Sequence, residues 1–318
     1  MQTPLRAADL SRLDIPLDRP FRLSPQRPSR AERRAIGEAV QGGGLRQLLH
    51  GVYVAAAVDD TVALRCAAIA LVLPEGAAIA RRTAAWLHGV DARLPGDHHE
   101  PVILECVVPA GTEPVSRPGI SCGAAPLTGE DLCAIGGLPC TTPLRTGLDL
   151  LRHLPPHMGL GAADALAHRG LIQAKDVLDA ADRFRGGRGI AKARRLAELI
   201  EPLTESFGES WLRLRLIDAG FPAPTAQIAL VDAAGRVLYR LDLGWPDRRL
   251  AVEYDGAEFH ASPERQKHDR GRRAIVARDF DWTAIGVTMA EVFGRRMTLE
   301  LGVGELLGLQ PAISRRLW

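Results

Sequence analysis

The residue types that could do chemistry gather in one run, LDLGWPDRRLAVEYDGAEFHASPERQKHDRGRR, residues 241–273. Asp242 closes one strand-like segment, and a second segment carries Glu253, Asp255 and Gly256. His260 follows, and a basic stretch ends the run. Carboxylates brought together at strand ends repel one another unless a cation neutralises them. Oxygen-only ligands suit Mg²⁺ or Mn²⁺, and a neighbouring excess of Arg and Lys suits a phosphate backbone. A divalent cation on one side and a phosphate on the other imply phosphodiester hydrolysis. The plainer alternative is a solvated hairpin whose acids face water.

The elements needed to position these acids are legible around them. In residues 237–242, Val237, Tyr239 and Leu241 alternate with Leu238, Arg240 and Asp242, the period of a half-buried strand. Trp245-Pro246-Asp247 reads as a turn. Leu250, Val252 and Tyr254 then alternate with Ala251, Glu253 and Asp255. A hairpin of matching register would set Asp242 near Glu253 and Asp255. Ser262 reads as an N-cap with Pro263 in the first helical position.

A fourth acid precedes them. Glu209 lies in TESFGESWLRLRLIDAGFP, where Phe207, Trp211, Leu214 and Ile217 recur at helical spacing. Thr204 or Ser206 is the expected N-cap, and Ala219-Gly220-Phe221-Pro222 is the stop. The simpler role for Glu209 is a surface ion pair with Arg213, one turn on. His260 could supply or remove a proton near neutral pH, or be an ordinary packed or exposed histidine. From Glu264 to Arg273 the chain holds five Lys or Arg (Arg265, Lys267, Arg270, Arg272 and Arg273) against two acids. As a helix it would offer DNA-binding side chains, with Asp269 bracing Arg265 and Arg272, or else an ordinary solvated face.

Taken together, Glu209, Asp242-x10-Glu253-x-Asp255-Gly256-x3-His260 and Asp269-x2-Arg272 resemble the endonuclease domain related to very-short-patch-repair (Vsr) enzymes, over roughly residues 205–300. That family belongs to the PD-(D/E)xK, restriction-endonuclease-like superfamily. The resemblance implies a mixed sheet flanked by helices, DNA as partner, and Mg²⁺-dependent hydrolysis. Asp242 would be the central metal ligand, Glu253 the second strand acid, Glu209 the acid of the first helix, and His260 a proton donor or phosphate contact. The superfamily's lysine, two positions after the second acid, is Asp255 here. Lys267 or His260 would have to take its place in positioning water. Vsr enzymes also carry structural zinc, but no cysteine follows Cys140, so no zinc is expected.

Composition frames this reading. The 318 residues suffice for two or three domains, and 46% apolar with 25% charged residues is globular composition. A net charge of +2 leaves any DNA affinity to local patches. Pro74 and Glu75 interrupt CAAIALVLPEGAAIA, so no membrane span is expected. MQTPLRAADLSRLD lacks a signal-peptide core, and five scattered cysteines without C-x-x-C suit reduced thiols, so a cytoplasmic location is expected.

Three regions are expected. Residues 1–60 hold a tail, the basic helix PSRAERRAIGEAVQ, a Gly42-Gly43-Gly44 break, and LRQLLHGVYVA read as one strand. That strand resembles the wing of the winged helix in AbiEi-family antitoxins, with most preceding helices missing. Residues 61–200 carry AAWLHG within an alanine-rich helix pair, the strand PVILECVVP, and GLPCTTPLRTGLDL, where Thr142 caps a helix opened by Pro143. These motifs resemble the middle domain of AbiEi-like proteins that actinobacteria fuse to a Vsr-like nuclease. Arg185-Gly186-Gly187-Arg188-Gly189 reads as a flexible basic joint before residues 201–318, the nuclease domain. The expected class is α/β: a restriction-endonuclease-like C-terminal sheet, preceded by a mainly helical α+β domain with a small sheet and a degenerate winged-helix remnant. The expected activity is a metal-dependent DNA endonuclease serving repair or defence against foreign DNA. The alternative is a non-cleaving DNA-binding regulator or antitoxin-type protein.

Overall fold

A computed structural model describes residues 15–23, 29–93, 101–255 and 263–313, with side chains described outside 263–270. The chain is mixed α/β and divides into two compact units, Met1–Asp149 and Leu150–Trp318.

In the first unit, β1 (Phe21–Arg22), β3 (Val52–Ala55) and β2 (Leu45–Leu49) form a small sheet in that order. Helix α1 (Arg30–Gln41) starts where a capping box dictates, with Ser29 as cap and Glu32 reaching back. Its Ile36 and Ala39 pack on Phe21, Leu45 and Ala55. The segment LRQLLHGVYVA, expected as one strand, is a hairpin. Gly51, at φ 73°, supplies the left-handed residue of the turn between β2 and β3. A six-stranded sheet follows, in the order β6 (Ser116–Arg117), β7 (Ile120–Ala125), β5 (Leu104–Pro109), β4 (Ala78–Ile79), β9 (Leu138–Thr141), β8 (Leu132–Ile135). Helices α2 (Val62–Ala70) and α3 (Arg81–Leu87) bury Ile69, Ala84 and Trp86 in a core shared with Ile79, Leu104 and Cys140. As the sequence predicts, α4 (Pro143–His153) opens on Pro143, and the Thr142 hydroxyl accepts the Arg145 amide at 3.3 Å.

The second unit continues through α5 (Pro156–His168), α6 (Ala174–Ala181) and α7 (Ile190–Ala197). The Arg185–Gly189 run, expected as a flexible joint, is a packed turn. Gly189 sits at φ 75°, and a Cβ there would lie 2.3 Å from the Arg152 carbonyl. Next comes α8 (Phe207–Asp218), capped by Ser206. A four-stranded sheet in the order β10 (Thr225–Val231), β11 (Val237–Trp245), β12 (Leu250–Tyr254), β13 (Thr283–Val287) lies beyond it. The first three strands are antiparallel, and β13 runs parallel to β12 after the crossover helix α9 (Pro263–Phe280). Helices α10 (Met289–Phe293) and α11 (Thr298–Leu307) end the unit.

Candidate metal and phosphate site

The β11–β12 register pairs Leu243 with Val252, Gly244 with Ala251 and Trp245 with Leu250. Continued by one step, it sets Asp242 opposite Glu253. There the ladder gives way, and the Tyr254 amide donates to Asp242 Oδ2 at 2.9 Å. Asp242 is partly buried and Glu253 is 5% exposed. Burial, with Glu209 and Glu253 as negative neighbours, pushes the Asp242 carboxyl up to about 6, against relief from the Tyr254 amide and Arg272.

Glu209 comes from α8. The Ser206 cap puts it in the first helical turn, where it is 6% exposed and its carboxylate accepts three hydrogen bonds. The Glu205 amide (3.0 Å) and Gln227 Nε2 (2.9 Å) donate to Oε2, and Ser206 Oγ (2.8 Å) donates to Oε1. The ion pair expected with Arg213 does not form. Arg213 instead pairs with buried Asp164 at 2.8 Å and donates to the Leu199 carbonyl at 2.6 Å. Gly208 lets α8 approach the sheet, since a Cβ there would lie 2.0 Å from the Tyr254 ring.

The strand acids meet arginines of α9. Arg273 Nε lies 3.3 Å from Glu253 Oε2, and its Nη2 pairs with Asp255. Gly286 on β13 makes room for that pair, because a Cβ there would lie 2.0 Å from Asp255 Oδ2. Arg272 Nη2 stands 3.0 Å from Glu253 Oε1 and donates to the Arg240 carbonyl at 2.6 Å. That approach is misaligned, and Glu253 Oε1 is buried without a hydrogen bond. Arg272 therefore faces Glu253, and the side chain of Asp269, expected to brace it, lies outside the described residues. Arg272 and Arg273, expected as phosphate contacts, are both engaged with the acids. His260 lies outside the described residues. Arg265, Lys267 and Arg270 belong to α9, but their side chains lie outside the described residues, as does Ser262.

Glu209, Asp242, Arg272, Arg240, Glu205 and Gln227 line one open cleft of about 430 Å³. Gln227, Arg240 and Gly286 carry no signal in the sequence: a glutamine and an arginine on an alternating strand look solvated. The donors are of the type a hard divalent cation takes: the carboxylate oxygens of Asp242, beside like charges, and of Glu253, whose buried Oε1 has Arg272 at 3.0 Å but no hydrogen bond. Among the described residues, no three of these acids bring an oxygen each within 4.8 Å of the others.

A softer cluster lies in the first unit, where His88, Cys133 and Cys140 each place a ligand atom within 4.8 Å of the others. His88 Nε2 is 2.8 Å from the Thr141 carbonyl, and burial pushes both thiols up and the imidazole down. Those are the properties of neutral, packed core groups. No described helix is long and apolar enough to cross a membrane.

Residues 77–202 match the family model of the AbiEi antitoxin C-terminal domain. Two proteins of Mycobacterium tuberculosis, uncharacterized protein MT2308 of strain CDC 1551 and uncharacterized protein Rv2248 of strain H37Rv, are each 30% identical over 260 residues, 82% of this chain and 91% of theirs. A crystal structure of the RV2827C protein from Mycobacterium tuberculosis is similar over 55% of this chain and 71% of that chain. Its 16% identity and TM-score of 0.27 are too slight to carry an argument.

Proposed function

We propose, for a chain that belongs to the same family as these two mycobacterial proteins and carries an AbiEi antitoxin-like segment, that its second unit is a metal-dependent DNA endonuclease. The observation that carries this reading is the buried Asp242 carboxyl, pushed up by burial and by the neighbouring Glu209 and Glu253 carboxylates, beside a Glu253 Oε1 that has an arginine at 3.0 Å but no hydrogen bond. Asp242 and Glu253 are the residues to hold Mg²⁺ or Mn²⁺, with Asp255 at the edge. The bound ion would supply a hydroxide nucleophile at neutral pH and neutralise the leaving oxygen. Asp242 must give up its proton for this, so its ionisation is coupled to loading the site. Glu209, fixed by three donors, would orient water in the cleft. Arg272 takes the place of the missing lysine, close enough to Glu253 to follow it and exposed enough to meet a phosphate. Lys267 and His260 remain candidates for the same duty, and Arg265 and Arg270 for gripping the DNA backbone.

A second reading, a non-cleaving DNA-binding or antitoxin-type protein, is favoured by the match of residues 77–202 to an antitoxin domain. Plasmid nicking with Mg²⁺ or Mn²⁺ beside an EDTA control separates the two. The endonuclease reading expects nicking by the wild type, its loss with EDTA, and its loss in Asp242→Ala with DNA binding retained. No cleavage of duplex, single-stranded, mismatched or branched DNA would leave the antitoxin-type reading standing.

A further inference from the structure

Gln227 has a backbone conformation that its sequence position does not explain. It lies inside β10, yet its φ is 52°, the left-handed region that L side chains other than Asn and Asp rarely enter. No turn requires it. The ladder runs on either side, pairing Ala226 with Leu243 and Ile228 with Leu241. That register places Gln227 opposite Asp242, the central acid of the cleft. Its Nε2 reaches Glu209 Oε2 at 2.9 Å, and the residue lines the same cleft as both acids. A strained, non-glycine residue in mid-strand persists where its surroundings fix it, and such residues gather at functional sites.

We propose that Gln227 is a positioning residue of the acid site: the left-handed kink at residue 227 directs its amide onto Glu209 and holds that carboxylate beside Asp242. This rests on the endonuclease reading above. The chemistry explains why glutamine stands there. The other donors, the Glu205 amide and Ser206 Oγ, approach Glu209 from the chain just before its own helix. Gln227 is the donor from the sheet, so it fixes the distance between a helix-borne and a strand-borne carboxylate. A neutral amide can do this without neutralising the charge that a divalent cation needs; an arginine in its place would compete with the metal. Glutamate would add another carboxylate, and asparagine, one methylene shorter, would accept the kink but fall short of Glu209.

The test uses the full chain with three substitutions, Gln227→Gly, Gln227→Asn and Gln227→Glu, read by thermal melting without metal, Mn²⁺ calorimetry and plasmid nicking. Glycine accepts a positive φ without strain, so Gln227→Gly is expected to melt at or above the wild-type temperature. Its Mn²⁺ affinity and cleavage are expected to fall 10- to 100-fold, the usual effect of removing a group that orients a metal-site residue. Gln227→Asn should likewise fold normally and lose the same function, which a purely structural role would not predict. Gln227→Glu should melt lower without metal and recover more on adding Mn²⁺. Gln227→Gly that cleaves and binds Mn²⁺ like the wild type overturns the proposal alone. So does a variant that melts several degrees lower while its Mn²⁺ affinity is unchanged, which would make Gln227 a packing residue. A wild type that neither binds Mn²⁺ nor cleaves overturns this proposal together with the endonuclease reading.

Discussion

Asp242 is the residue on which the proposed chemistry of the cleft would turn, and its ionisation gives a measurable consequence. Its carboxyl titrates near 6 when folded, against about 4 in an unfolded chain. Below pH 4 both states are protonated, and above pH 6 neither is. Between those limits the folded protein binds more protons, so stability falls as pH rises from about 4 to 6. Asp242→Asn removes the effect. In urea denaturation without metal, the mutant should gain on the wild type by about 3 kcal/mol across that window and by no more above it. A difference independent of pH would mean that Asp242 is not perturbed. Addition of Mg²⁺ or Mn²⁺ should raise the wild-type melting temperature and leave that of Asp242→Asn unchanged, because the ion binds only the folded site.

At the scale of elements, α8 is the part whose placement matters most, because it brings Glu209 to the sheet. Two buried ion pairs anchor it. Arg213 reaches Asp164 on α5, and Arg215 grips Glu300 on α11 through two contacts, 2.8 and 2.6 Å long. Arg215 also donates to the carbonyls of Glu291, Val292 and Arg296. Burial lowers the Arg215 guanidinium while Glu300 opposes that shift. Glu300→Ala leaves a cation buried without its partner and should cost about 3–5 kcal/mol. Replacing the pair together, Arg215→Met with Glu300→Leu, should recover most of that loss. A double mutant as unstable as the single one would show that the carbonyl contacts, and not the pair, hold the helix. Ser206→Ala removes both the cap and one donor to Glu209. It should cost about 1 kcal/mol and lower cleavage by more than that loss of stability explains.

At the scale of the molecule, a net charge of +2 cannot hold DNA by itself, so the endonuclease reading needs its affinity to come from the few cations around the cleft. Arg240→Ala and Arg272→Ala should each weaken binding to every sequence and reduce the salt slope by about one. An unchanged slope would assign those arginines to the acids alone, where Arg272 already stands beside Glu253 and Arg240 pairs with Glu205 at 2.9 Å. The antitoxin-domain match over residues 77–202 extends past Asp149, the end of the first unit. DNA binding measured with and without the basic helix α1, through Arg30→Ala, Arg33→Ala and Arg34→Ala together, would show whether that unit also holds nucleic acid.

The sequence by itself determined the pieces whose rules are local. The alternation of residues 237–242 and 250–255 located β11 and β12 and put Asp242 and Glu253 on neighbouring strands. Thr142 with Pro143 and Ser206 with Gly220 marked the ends of α4 and α8, because a cap is a bond between residues a few places apart. Only tertiary structure decided the partners. Arg213 chose Asp164, 49 residues away, over Glu209 one turn behind, because burial leaves a charge no water to fall back on and favours whichever partner is buried with it. The hairpin at Gly51 was hidden because a histidine and a glycine between two apolar runs leave their pairing open. The kink at Gln227, the space left by Gly286 and the arginines on the acids carry no local pattern. They are set by how an α8 carboxylate, a sheet edge and α9 compete for the same few ångströms, and spacing along the chain does not encode distance across it.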